Sequence, residues 1–153
     1  MALIDGIERA RKVLAGQARE TPLFHGATLS RIAGRELHLK AENLQRTGSF
    51  KIRGAYHKLA SLSPEERARG VVAASAGNHG QAVAWASSQL GVRSTVYMPL
   101  DASISKTEAT RSYGANVELF GERFDDAMAE AARRSEETVS YTHLRAHETG
   151  RNL

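Results

Sequence analysis

Apolar positions along this chain follow two spacings, one of helices and one of strands. Ile4, Ile7, Ala10 and Leu14 recur at helical intervals, predicting an amphipathic helix over residues 5–14 that Thr21-Pro22 interrupts. Residues 36–40 alternate polar and apolar through Leu37 and Leu39, as a short strand does. Ile52, Ala55, Tyr56 and Leu59 form the apolar face of a second helix, which begins close to Ser49 and stops before Ser63-Pro64. A regular order follows. Residues 71–74 (Val-Val-Ala-Ala) read as a buried strand, 79–90 as a helix closed by Gly91, and 95–98 as a strand ended by Pro99. Residues 105–113 read as a helix with Gly114 just past its end, 116–120 as a strand, and 125–137 as a helix with acids in its first turn.

Strands and helices that alternate through short connections imply an α/β fold, with a parallel sheet covered by helices on both faces in three layers. An apolar strand is expected after the helix at 125–137, but the pattern stops at about Thr138. Residues 139–153 keep no period of either kind and read as a non-native tail, translated adapter read-through on a truncated frame. No internal repeat or low-complexity segment is present.

Composition narrows the classes. With 153 residues, 41% of them hydrophobic, the chain has the material for one folded domain. It has no cysteine, so disulfide frameworks and thiolate metal sites are excluded and a reducing compartment, the cytoplasm, is the expectation. The N-terminus lacks a basic start followed by an apolar run, and no stretch approaches the roughly 18 apolar residues of a membrane span. A net charge of +4 and a pI near 9.7 raise the question of nucleic acid. However, the basic residues are scattered among acids without aromatic interleaving, as on a solvated helix surface. No metal site is expected: His25, His38, His57 and His79 lack helical metal spacing, and His143 and His147, which have it, fall in the tail. Ser103-Ile104-Ser105-Lys106 matches the Ser-x-x-Lys of penicillin-binding enzymes without their companion motifs.

Two segments carry chemistry. Residues 42–55 (Glu-Asn-Leu-Gln-Arg-Thr-Gly-Ser-Phe-Lys-Ile-Arg-Gly-Ala) set Lys51 between a Gly-Ser turn and a helix. A lysine that condenses with an aldehyde must lose its proton, and a partly apolar site beside another cation favours that loss. Phe50 offers the apolar wall and Arg53 the charge. Taken alone, Ser-Phe-Lys is only the first turn of an amphipathic helix. The second segment, residues 75–81 (Ser-Ala-Gly-Asn-His-Gly-Gln), runs from a strand into a helix, and the backbone N–H groups that open a helix bind anions. Outside that context Gly-Asn is merely a turn.

Together these segments resemble the pyridoxal-phosphate enzymes of the tryptophan-synthase-like (fold type II) superfamily, and within it the threonine/serine dehydratases. Glu42, Gln45, Thr47, Gly48, Ser49, Phe50, Lys51, Arg53, Gly54 and Ala55 occupy the fixed positions of the dehydratase motif. Cysteine and threonine synthases usually show Asn-Pro before Thr-Gly-Ser and Asp after the lysine, where this chain has Gln45-Arg46 and Ile52.

The resemblance implies that residues 1–40 are a flank of the large domain and 41–138 part of the small domain. It also implies that Lys51, Phe50 and Asn78 hold pyridoxal 5'-phosphate, with Asn78 bonding its phenolic oxygen. Ser75, Ala76, Gly77, Asn78 and His79 would receive the carboxylate of an amino-acid substrate, and Lys51 would remove its α-proton. Loss of the β-hydroxyl would then yield 2-oxobutanoate and ammonia from L-threonine, or pyruvate from L-serine. Such an activity belongs to amino-acid metabolism, isoleucine biosynthesis included. Eukaryotic-type serine racemases of this superfamily carry a second serine where this chain has Ala76, so elimination without efficient racemisation is expected, with another fold type II enzyme such as serine racemase as the alternative. The family's phosphate loop and pyridine-nitrogen partner lie beyond residue 153. The fragment alone is therefore expected to be inactive and to bind the cofactor weakly, and the full-length protein to be a homo-oligomer acting on a small molecule, with neither nucleic acid nor membrane as partner.

Overall fold

The computed structural model describes residues 3–137 and 142–143, and the chain divides into two units, Met1–Phe50 and Lys51–Leu153. In the first, helix α1 (Leu3–Leu14) forms where the apolar spacing places it. Strand β1 (Leu23–His25), helix α2 (Ala27–Ala33) and strand β2 (His38–Lys40) follow. Only β2 falls within a predicted element. The two strands pair antiparallel, with Leu23 opposite Lys40, Phe24 opposite Leu39 and His25 opposite His38. Gly34 ends α2 in the left-handed conformation at φ 64°, where a glycine carries no Cβ penalty, and its N–H bonds the Ser30 carbonyl. Neither α1 nor α2 contains a buried residue, and Ile4 is 67% exposed.

Two short 3-10 turns, Glu42–Leu44 and Arg46–Gly48, close the first unit. They are anchored by side chains of the motif itself. The buried Gln45 amide accepts from the Arg19 N–H at 2.8 Å and donates to the Arg19 carbonyl at 2.9 Å, while its oxygen also accepts from the Arg46 N–H at 2.9 Å. Glu42 Oε1 accepts from the Thr21 hydroxyl at 2.7 Å.

The second unit begins with α3 (Lys51–Ala60), whose buried residues are Ile52, Ala55, Tyr56 and Leu59, the i, i+3, i+4, i+7 stripe of its sequence. Helix α4 (Pro64–Arg69) starts at the very Ser63-Pro64 that marked a stop. Ser63 caps it by accepting from the Glu66 N–H, Glu66 reciprocates by accepting from the Ser63 N–H, and Pro64 stands in the first turn, where its missing donor costs nothing. The unit continues through β3 (Val71–Ala74), α5 (Asn78–Gln89), β4 (Ser94–Met98), α6 (Ile104–Ser112), β5 (Asn116–Leu119), α7 (Phe124–Glu137) and β6 (Thr142–His143).

All four strands of this unit are parallel, in the order β5-β4-β3-β6. Side chains alternate across the sheet, so β4 serves two cores. Val96 and Met98 pack with Ala84 of α5 and with Ala115 and Val117; Tyr97 joins Val72 and Ala74 against Ala127 and Ala131 of α7. Helices therefore cover both faces, the three-layer arrangement that the strand–helix order implied. Each fully buried Val or Met contributes about 1.5–3 kcal/mol of transfer free energy. On one face α3 packs over α5, with the Tyr56 and Trp85 rings 5.8 Å apart at 40°.

After α7 the sheet gains β6, two residues long, with Thr142 opposite Val71 and His143 opposite Val72. Residues 138–141 and 144–153, His147 among them, lie outside the described residues, and with them most of the segment 139–153 expected to be a non-native tail.

Candidate functional site

Ligand sites of parallel α/β sheets gather where strands hand over to helices at their carboxyl ends. In this chain the handover from β3 to α5 is residues 75–77. The Ser75 N–H extends the ladder by one bond to the Tyr97 carbonyl at 3.0 Å, after which the backbone turns. Ser75 Oγ accepts from the Gly77 N–H at 3.2 Å, fixing the bend. Gly77 is the N-cap of α5 and, having no side chain, gives the opening N–H groups no capping acceptor. A 12-residue helix thus opens with an uncapped positive end after the carboxyl end of β3.

The two glycines of this loop differ in kind. A Cβ built on Gly77 meets nothing within 4 Å, so the backbone there borders open space. On Gly80 it would stand 2.9 Å from the Ser75 carbonyl oxygen and 3.0 Å from Val96 Cγ1. What approaches Gly80 is therefore the protein's own strand layer. Ser75 and His79 are buried, Ala76 and Gly77 half-buried, and Asn78, the first residue of α5, is exposed.

Lys51 is the first residue of α3, half-buried, with Arg53 half-buried two positions on. The helix that carries it is the one packed over α5, so the lysine and the loop 75–79 open two helices that pack on each other within one unit. Phe50, the last residue of the other unit, is 53% exposed.

The turn before the lysine holds a feature that composition does not announce. Thr47 adopts φ 58°, ψ 14°, and is the only non-glycine with positive φ among the described residues. A β-branched residue there is strained by about 1–3 kcal/mol, a cost that concentrates at functional segments. Thr47 Oγ1 and Ser49 Oγ are also buried without a hydrogen-bond partner.

This donor set fits a group bearing an aldehyde and an anionic co-ligand. It comprises a half-buried primary amine, an uncapped helix start beside open space, and an exposed amide at Asn78. Among the described residues no three His, Cys, Asp or Glu side chains are gathered to hold a metal ion, and no helix is long and apolar enough to cross a membrane. Lys106 of the Ser-x-x-Lys match is exposed, and Ser103 Oγ is hydrogen-bonded to Ser105 Oγ at 2.9 Å.

Five likenesses to known proteins accompany this geometry. A family model described as pyridoxal-phosphate dependent enzyme matches residues 14–152. The L-threonine ammonia-lyase of Thermotoga maritima is 50% identical over 138 residues, 90% of this chain and 34% of its own length. The catabolic L-threonine dehydratase of Escherichia coli is 46% identical over 129 residues, 84% of this chain and 39% of its own. The chain thus spans between a third and two fifths of the length of these curated relatives. Among solved structures, maize serine racemase superposes with a TM-score of 0.85 at 30% identity, covering 95% of this chain and 44% of that one. The processed threonine deaminase isoform 2 of Solanum lycopersicum gives 0.81 at 35% identity, covering 95% and 41%.

Proposed function

Because the chain belongs to the family of pyridoxal-phosphate-dependent enzymes, we propose that it is the Lys51-bearing portion of an L-threonine ammonia-lyase that releases 2-oxobutanoate and ammonia. The supporting observation is the uncapped start of α5 beside open space, on the helix against which the lysine's own helix packs.

In this reading Lys51 Nζ holds the cofactor through its aldehyde, and Asn78, with Phe50 alongside, keeps the ring oriented. The substrate carboxylate sits on the opening of α5, where residues 75–79 offer backbone N–H groups and the helix adds partial positive charge. Once the substrate amine has displaced it from the aldehyde, Lys51 Nζ would be free to take the α-proton and to act as the general base of the reaction. When bound, the cofactor supplies a sink for the electron pair that the departing proton leaves behind. Ala76 has no hydroxyl to return a proton from the opposite face, so the outcome is elimination of the β-hydroxyl. Serine racemase is the second reading, favoured by the maize superposition; a chain that interconverted L- and D-serine faster than it released ammonia would adopt it.

The lysine assignment is tested without relying on turnover. The chain is mixed with pyridoxal 5'-phosphate, reduced with borohydride, digested, and mapped by mass spectrometry. The expected label is on Lys51 and is absent from Lys51→Ala. Label on other lysines with Lys51 unmodified sinks the assignment. Activity belongs to the full-length gene product, which is expected to form 2-oxobutanoate from L-threonine; this fragment is expected to bind the cofactor weakly and not to turn over.

A further inference from the structure

We propose that His25 and His38 form a two-histidine site for a divalent transition-metal ion on the β1–β2 ribbon. The two residues face each other in the register. The ladder is bonded at the flanking pairs, where the Gly26 N–H reaches the Leu37 carbonyl at 2.9 Å and the Ala41 N–H the Pro22 carbonyl at 3.0 Å. Bonded and non-bonded pairs alternate along an antiparallel ladder, so the pair 25–38 is of the non-bonded kind, in which opposing side chains come closest. The ring centroids are 5.5 Å apart at 52°.

That spacing is near what one ion demands. Two imidazoles bound at about 2.0–2.1 Å in tetrahedral geometry hold their ring centroids about 5 Å apart, a small side-chain rotation from the observed pair. Each ring already turns Nε2 toward a polar atom: His25 toward Ser30 Oγ at 3.4 Å, His38 toward the Glu36 carboxylate at 3.6 Å. Neither Nδ1 has a hydrogen-bond partner among the described residues. Rings oriented through one nitrogen and coordinating through the other are the usual form of metal-bound histidine. Both rings are exposed, and Lys40, on the same face of the ribbon, directs its ammonium to the Thr21 carbonyl at 2.6 Å. Two protein ligands leave the remaining positions to water, and imidazole nitrogen selects copper, nickel and zinc over magnesium.

The test uses the full chain with His143→Asn and His147→Asn in the background, so that the i, i+4 pair contributes no signal. Ni2+ and Zn2+ are titrated at neutral pH by calorimetry, with Mg2+ for comparison. One ion per chain is expected for nickel and zinc and none for magnesium. His25→Asn or His38→Asn should each weaken binding by about tenfold or more while the far-ultraviolet dichroism stays unchanged. Binding that persists undiminished in the His25→Asn/His38→Asn double variant, or absent from the parent, overturns the proposal. Imidazole nitrogen shifts give a second measurement: metal must move those of His25 and His38 and leave those of His57 and His79 in place.

Discussion

Gly80 lies so close to Ser75 that a Cβ on the glycine would stand 2.9 Å from the serine's carbonyl oxygen. This contact sets how tightly the first turn of α5 rests on the end of β3, and hence where the helix presents its opening N–H groups. Gly80→Ala forces the helix away from both Ser75 and Val96 and is expected to cost about 1–3 kcal/mol. Urea unfolding of the two proteins measures it. Gly77→Ala, with nothing within 4 Å of the new methyl, is expected to cost under about 1 kcal/mol. An equal loss for both substitutions would refute the distinction between a packing glycine and one bordering open space.

A similar contrast separates two left-handed glycines. Gly91 has φ 64° and no heavy atom within 4 Å of a built Cβ; Gly121 has φ 72° and would place its Cβ 2.1 Å from Asp126 Cβ. Asp126 cannot easily yield, because Oδ2 accepts from the N–H groups of Glu122 at 3.1 Å and Arg123 at 2.9 Å. Gly91→Ala should cost only the left-handed penalty, about 1–2 kcal/mol. Gly121→Ala should exceed it by about 1 kcal/mol or more, because the clash adds to the strain. Paired thermal melts decide the order.

Glu130 is expected to make the second unit sensitive to acid. Its carboxylate is 7% exposed, is bonded by Arg133 Nε at 2.7 Å and Arg134 Nε at 2.9 Å, and is held at a pKa of about 2 against the usual 4.5, first by the Arg133 hydrogen bond and then by Arg134. The unfolded chain takes up this proton first as pH falls. The stabilisation is therefore complete above pH 4.5 and disappears as pH falls toward 2. Glu130→Gln should lower stability at neutral pH and flatten its decline between pH 4.5 and 2, as followed by denaturant midpoints across that range. A variant curve parallel to that of the parent would contradict the assignment.

Gln45 is expected to hold the turns of the first unit. Gln45→Leu leaves the Arg19 N–H and carbonyl without their side-chain partner, a loss of about 1–3 kcal/mol if both stay dry. Amide exchange at Arg19 and Arg46 should accelerate, while exchange in β3 and β4 keeps its rate.

Elements buried on a continuous stripe or on both faces were legible along the chain. β3, α5, β4, α6, β5 and α7 lie within a residue or two of their predicted positions; in β3, α5, β4 and α7 the Val, Ala and Met residues repeat at the period of the structure they form, and α6 is marked by Gly114 past its end. β1 and α2 were not legible: they are three and seven residues long, too short for a period to show. α4 was missed for another reason. Ser63-Pro64 interrupts one helix and opens the next, and Glu66 three residues after Ser63 was the capping signal that distinguishes the two roles.

Sequence alone determined the order of strands and helices, the lysine at a helix start and the small-residue loop before α5, since each of these is local. Tertiary structure decided which glycine serves packing and which borders open space, that a threonine sits in a left-handed turn, and that His25 and His38 stand ring to ring. These depend on which distant residue is brought alongside, Val96 and Ser75 beside Gly80 or β2 beside β1. Such proximity arises from layers closing on one another and leaves no period in the chain.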